Sequence, residues 1–194
     1  MTIAPAADIL AFWFGRPGEP GHGQPRSEWF RKDSAFDTEI RTRFLASVEA
    51  ALAGQLDDWA ATPPGLLALL ILLDQFPRNL FRGEARAFAG DAKALSLAKA
   101  ALDKGWDKDL LSVEKLFVYL PFEHSEALAD QEQSLALFAA LAAGAPGNDG
   151  FLDYARRHHE VIARFGRFPH RNAALGRPST PEEIDYLAQP GSGF

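Results

Sequence analysis

Arginine, histidine and glutamate gather in three short stretches of this chain: DQFPRN at residues 74–79, PFEHSE at 121–126 and GRFPHRN at 166–172. These side chains bind anions and move protons. A guanidinium holds a carboxylate or phosphate through two parallel N–H donors, and an imidazole changes charge near neutral pH. The first and third stretches echo each other. Phe76-Pro77-Arg78-Asn79 and Phe168-Pro169-His170-Arg171-Asn172 each follow an apolar segment, and in both the Arg-Asn pair precedes a glycine at the same spacing. Proline disfavours continuation of a helix and pushes the preceding Phe toward extended backbone. Asn suits the turn that follows. Two matched turns, each projecting an arginine from a constrained backbone, are the expectation.

The charge distribution reinforces this reading. Residues 156–177 hold Arg156, Arg157, Arg164, Arg167, Arg171 and Arg177, no lysine, and Glu160 as the sole acid, a net charge of +5 in a chain of −6. Arginine without lysine points to forked pairing. The partners are either internal carboxylates, with Asp74, Glu123, Glu126 and Glu132 all beside apolar segments, or a bound anion. In the anion-binding reading, Arg78, Asn79, His158, Arg164, Arg167, Arg171 and Asn172 hold a carboxylate or phosphate. His124 and His170 then transfer protons, with Glu126 as orienter or base. His158 falls on the stripe Phe151, Tyr154, His158, Val161, Phe165 and points inward. A histidine on such a stripe is also an ordinary core residue.

Other chemistries find less support. His158-His159-Glu160 lacks a second histidine one turn on, so the two-ligand face of a zinc protease is missing. No metal site and no cofactor are expected. The chain contains no phosphate loop, no dinucleotide fingerprint and no G-x-S-x-G elbow. The absence of cysteine removes disulfides, thiol nucleophiles and thiolate metal sites. A pI near 5.4 opposes general binding to nucleic acid or an anionic membrane.

The elements that must position these residues are helical. Phe36, Ile40, Phe44, Val48 and Leu52 recur every fourth residue on one face of a helix ending near Gly54. Thr62 precedes Pro63 and Pro64, which suit the first turn of a second helix, apolar all round and therefore central. Asp91 is placed to cap a third, stopped by Gly105. Ser112 opens SVEKLFVYL, which Pro121 stops or kinks. Ser125 opens the next helix, closed by Gly144, and Asp149 opens one through Phe165. Thr180-Pro181-Glu182-Glu183 is a capping box for a short last helix. No stretch alternates as a strand does. Residues 15–26, rich in Gly and Pro, form a surface loop. Trp13, Trp29, Trp59 and Trp106 pack helix ends, with Trp13 and Trp29 also placed to wall a pocket. The sequence predicts one all-α domain over residues 1–194. The N-terminal segment does not read as a signal peptide. The longest apolar run, Gly65–Leu73, is about half of what a membrane helix requires. A cytoplasmic protein is expected.

The stretches DILAFWFG, WFRKDSAFDTEIRTRF, LLDQFPRNLFRGEARAFAGDAKAL, VYLPFEHSEALADQEQSLALF and FGRFPHRNAALGRPSTPEEIDYL together resemble the bacterial family known as domain of unknown function 924. The likeness runs from about Ile9 to Phe194. It implies a tetratricopeptide-like stack of antiparallel helix pairs, although the tetratricopeptide consensus itself is absent at a period of 34 residues. It implies no activity. DQFPRN, PFEHSE and GRFPHRN are its signature stretches, and this chain matches all three. Three readings remain open: a small-molecule anion site, catalytic or not, in a cleft between helix pairs; a helical scaffold for a peptide or protein partner; and a buried Arg/His/Glu network that is purely structural.

Overall fold

The computed structural model describes residues 2–144 and 149–193. Its contacts divide the chain into two compact units, Met1–Arg82 with Arg86–Pro121 and Gly83–Ala85 with Phe122–Phe194. The described residues form helices joined by turns and irregular segments, with no strand among them. None of their helices is long and apolar enough to cross a membrane.

The first unit contains α1 (Ala6–Phe14), α2 (Ser34–Leu52), α3 (Pro63–Leu70), α4 (Phe76–Leu80) and α5 (Asp91–Asp103), together with most of α6 (Ser112–Glu123). Asp33 caps α2 by accepting from the N–H groups of Ala35 and Phe36 at 3.0 and 3.1 Å. On α2, Phe36, Ile40, Phe44 and Val48 are buried, while Leu52 lies half-exposed at the frayed end. Thr62 caps α3 as expected, accepting from Gly65. Every residue from Gly65 to Pro77 is buried, which gives α3 its central place, packed on α1 and α5. Trp13 and Trp29 stack at 5.8 Å inside this core, where Trp29 Nε1–H donates to the Trp13 carbonyl. Trp59 and Trp106 are half-buried.

Neither Pro77, expected to break its helix, nor Pro121, expected to stop or kink its own, ends a helix. Between α3 and α4 the chain makes a π-helical turn over Ile71–Gln75, and Phe76 keeps helical backbone angles with its N–H on the Ile71 carbonyl. The wider turn shifts the register, so Pro77 enters as the second residue of α4. The Leu73 carbonyl, whose usual donor would be the N–H that Pro77 lacks, lies against Gly90; a Cβ there would stand 2.2 Å from that oxygen. Only glycine permits this approach. Helix α6 likewise continues through Pro121 to Glu123. An interior proline costs about 3 kcal/mol, offset here by burial of Leu116, Phe117, Val118, Leu120 and Phe122.

The second unit contains α7 (Leu128–Gly144) and α8 (Asp149–Phe165), packed along one another, then α9 (Asn172–Leu175) and α10 (Pro181–Leu187). The Asp149 side chain lies outside the described residues. Ser125 does not begin α7 directly. Its Oγ accepts from Ala127 N–H at 3.2 Å and donates to Asp130 at 2.7 Å, so the helix starts three residues later. On α8, His158 and Val161 are buried, but Tyr154 is half-exposed, outside the expected inward stripe. The capping box at Thr180 is complete in both directions.

The second Phe-Pro copy differs from the first. Phe168 is extended (φ −88°, ψ 106°), Pro169 opens a single 3₁₀ turn through Arg171, and α9 ends at Gly176 in the left-handed region (φ 65°). The two copies are therefore unmatched turns: one lies within a continuing helix, the other is a true break. The π turn makes the difference, because it supplies the first proline with a helical place.

Candidate functional site

The second unit builds a cluster around Phe168, whose ring is fully buried. The His158 ring meets it edge-on at 5.4 Å, the His170 ring lies 5.5 Å away, and the Arg171 guanidinium sits over its face at 4.5 Å. The His124 ring is 6.3 Å from that of His158. Three histidines and an arginine thus converge, brought in by the end of α6, the middle of α8 and the turn after Phe168. His158 and Arg171 are buried, at 4% and 6% exposure; His124 and His170 are half-buried. The extended Phe168 and the tight Pro169 turn are what bring both His170 and Arg171 against one ring.

Glu123 completes the arrangement. It is 3% exposed, and its Oε1 lies 3.2 Å from His158 Nδ1. The same Nδ1 is 2.9 Å from the Tyr154 carbonyl, one helical turn back. With two acceptors at Nδ1, the proton belongs there, and the lone pair of the neutral ring is on Nε2. Burial pushes the His158 pKa down to about 3; the Tyr154 hydrogen bond opposes this, and the positive fields of His124, His170 and Arg171 add to it. His158 is therefore a neutral imidazole at physiological pH. Gln131 fastens the segment bearing Glu123 and His124, donating to the carbonyls of Glu123 and Ser125 at 2.6 Å each.

Next to this cluster runs a network of internal pairs. Glu126 takes both prongs of Arg177 (2.7 and 2.9 Å) and the Phe168 N–H (2.8 Å), which hold its carboxyl below the usual range despite partial burial. Arg177 also reaches the Phe168 carbonyl and Asn172 Oδ1. Glu183, 2% exposed, takes both prongs of Arg167 at 2.6 and 2.8 Å. The Arg167 bond, the Thr180 N–H and Asn172 draw the Glu183 pKa down to about 2. Asn172 is buried between Glu183, Ser179 and Arg177. Arg164 pairs with Glu182 at the surface. Glu126, Arg167 and Asn172 are thus braces that fix the loop carrying Phe168, His170 and Arg171, and Arg164 lies outside the cluster.

Arg78 and Asn79 belong to the first unit. Arg78 forks onto Asp91 at 2.9 and 3.0 Å and contacts Asp74, which is 1% exposed and also bonded to Gln75. These two carboxylates raise the Arg78 pKa against the cost of burial. Asp91 is the first residue of α5 and supplies no cap; its carboxylate is on Arg78. Asn79 donates to Asp37, which Arg82 also grips. Among the described residues, no group of three or more His, Asp or Glu side chains could hold a metal ion.

The family model for a bacterial protein of unknown function (DUF924) matches residues 9–191. The chain belongs to this family. A solved structure, that of the protein of unknown function ATU0120 from Agrobacterium tumefaciens, is 40% identical with a TM-score of 0.81, covering 94% of this chain and 96% of that one. No curated protein matches. Two of the three DUF924 signature stretches expected above, PFEHSE and GRFPHRN, supply the His/Arg cluster of the second unit. Sequence reasoning did not assign Glu123 to His158, Arg177 to Glu126 or Glu183 to Arg167. The capping box accounts for the Thr180 N–H on Glu183, but nothing local named Arg167 as its partner.

Proposed function

We propose that the second unit binds a small carboxylate- or phosphate-bearing molecule at the cluster of His124, His158, His170 and Arg171. The observation that carries this reading is the convergence of three imidazoles and a guanidinium on one buried ring, with two of the imidazoles partly open to solvent. Arg171 supplies the charge, and His124 and His170 supply donors or protons at the rim. The second reading, a structural network, fits Arg167, Arg177, Glu126, Glu183 and Asn172, whose forks are taken up by one another. The acidic, cysteine-free composition supports a cytoplasmic location.

Thermal denaturation with and without citrate, phosphate and sulfate tests the site. An anion at a hundred times its Kd stabilises by about 2.7 kcal/mol, roughly 5 °C or more for a chain of this size. The doubly substituted His124→Asn/His170→Asn protein should lose most of that shift. Wild type indifferent to all three anions, or a double variant that responds equally, would sink the proposal.

A further inference from the structure

Helix α6 ends at Glu123, and the chain turns at His124 before α7 begins at Leu128. The last carbonyls of a helix lack intrahelical donors. In a continuing helix the Glu123 carbonyl would accept from the Ala127 N–H, but that group is directed to Ser125 Oγ. Gln131 of α7, 0% exposed, supplies the substitute. Its Nε2 donates to the Glu123 and Ser125 carbonyls at 2.6 Å each, with a longer contact of 3.4 Å to the Phe122 carbonyl. The two short bonds flank His124 along the backbone, so one amide nitrogen ties down the residue before it and the residue after it. The same amide carries a cost that an apolar side chain would not: its Oε1 is buried and receives no hydrogen bond. What it provides in return is a fixed place for residues 123–125.

We infer that Gln131 is a positioning residue of the anion site, holding His124 at the rim by clamping the carbonyls on either side of it. The inference rests on the anion-binding reading proposed above. A binding group must be held within about 0.5 Å of its productive place. His124 lies outside the helices, so helical hydrogen bonding does not supply that precision, and the clamp from α7 does. Gln131 touches no ligand in this scheme; it acts through His124.

Isothermal titration of the full-length protein at pH 7 with citrate, phosphate and sulfate in turn tests it, in wild type, Gln131→Met and Leu141→Ala. Methionine resembles glutamine in shape and has no donor. Leu141→Ala is the control: it weakens buried packing on the same helix without touching the clamp. Gln131→Met should bind the anion that wild type binds about tenfold more weakly, the worth of one hydrogen bond to a charged group, while the control keeps wild-type affinity. In a His124→Asn background, Gln131→Met should change the affinity little, because its effect passes through the missing ring. The nuclear magnetic resonance signals of the His124 ring should shift in Gln131→Met and stay in place in the control. Wild-type affinity in Gln131→Met, unmoved His124 signals, or a full loss that persists in the His124→Asn background each overturns the inference and leaves the anion reading standing. A wild type that binds none of the three anions overturns both. Should Gln131→Met not fold, the wild type decides: side-chain amide protons of Gln131 that exchange slowly with solvent support the clamp, and rapid exchange overturns it.

Discussion

The protonation state of His158 makes a prediction whose sign separates two arrangements. With its folded pKa near 3 against 6.5 for an unperturbed histidine, the folded protein binds fewer protons than the unfolded chain at pH values between these limits. Its stability contribution is therefore complete above pH 6.5 and lost as the pH falls toward 3. From pH 7 to pH 5 the loss is about 2 kcal/mol by linkage. That figure is insensitive to the folded value, since the ring is neutral in the native state throughout this range. Had Glu123 drawn His158 into an imidazolium–carboxylate pair, the pKa would be raised, and the contribution would grow over the same window. The groups facing His158 are Glu123 and His124 at the end of α6, and His170 and Arg171 beyond Phe168. They are common to wild type and His158→Gln, so the difference between the two isolates the ring. Urea denaturation at pH 7, 6 and 5 measures it: wild type should lose about 2 kcal/mol more than the variant. A wild type that gains stability relative to the variant on acidification would refute the neutral ring.

Two further outcomes follow from the braces. Arg78→Ala in the first unit leaves the buried Asp74 carboxylate without its counter-charge and should cost about 3 kcal/mol, a fall of roughly 10 °C in Tm; an unchanged melting curve would show that Asp74 is carried by other contacts. Glu183, drawn down to about 2, contributes stability present above its unfolded value and lost as the pH falls through the acid range. Glu183→Gln should therefore flatten the acid limb of a stability–pH curve below about pH 4.5, and an identical limb in wild type and variant would exclude that linkage.

Helix ends were legible because their causes are local. Thr62 with Pro63, the Thr180 capping box and the glycines at 54 and 105 act through bonds spanning a few residues, and all stand where the sequence put them. Where the same local logic met a packed core, it failed. Pro77 read as a break and Pro121 as a stop or a kink, yet both lie inside helices, because burial of apolar neighbours outweighs one missing N–H and a π turn absorbs the first of them.

The candidate site divides in the same way. Periodicity and composition by themselves determined that the chain is helical, that His158 faces inward, and that arginines without lysine would form forked pairs. Tertiary structure decided which acid answers which arginine. Arg177 meets Glu126 across 51 positions and Arg78 meets Asp91 across 13, distances over which no backbone rule operates. It decided the charge of His158 too, since a pKa depends on the water excluded from around the group and on the charges beside it. Both are fixed only when α6, α8 and the Phe168 turn come together, because desolvation and Coulomb energy are functions of position in space, whereas capping and periodicity are functions of position along the chain.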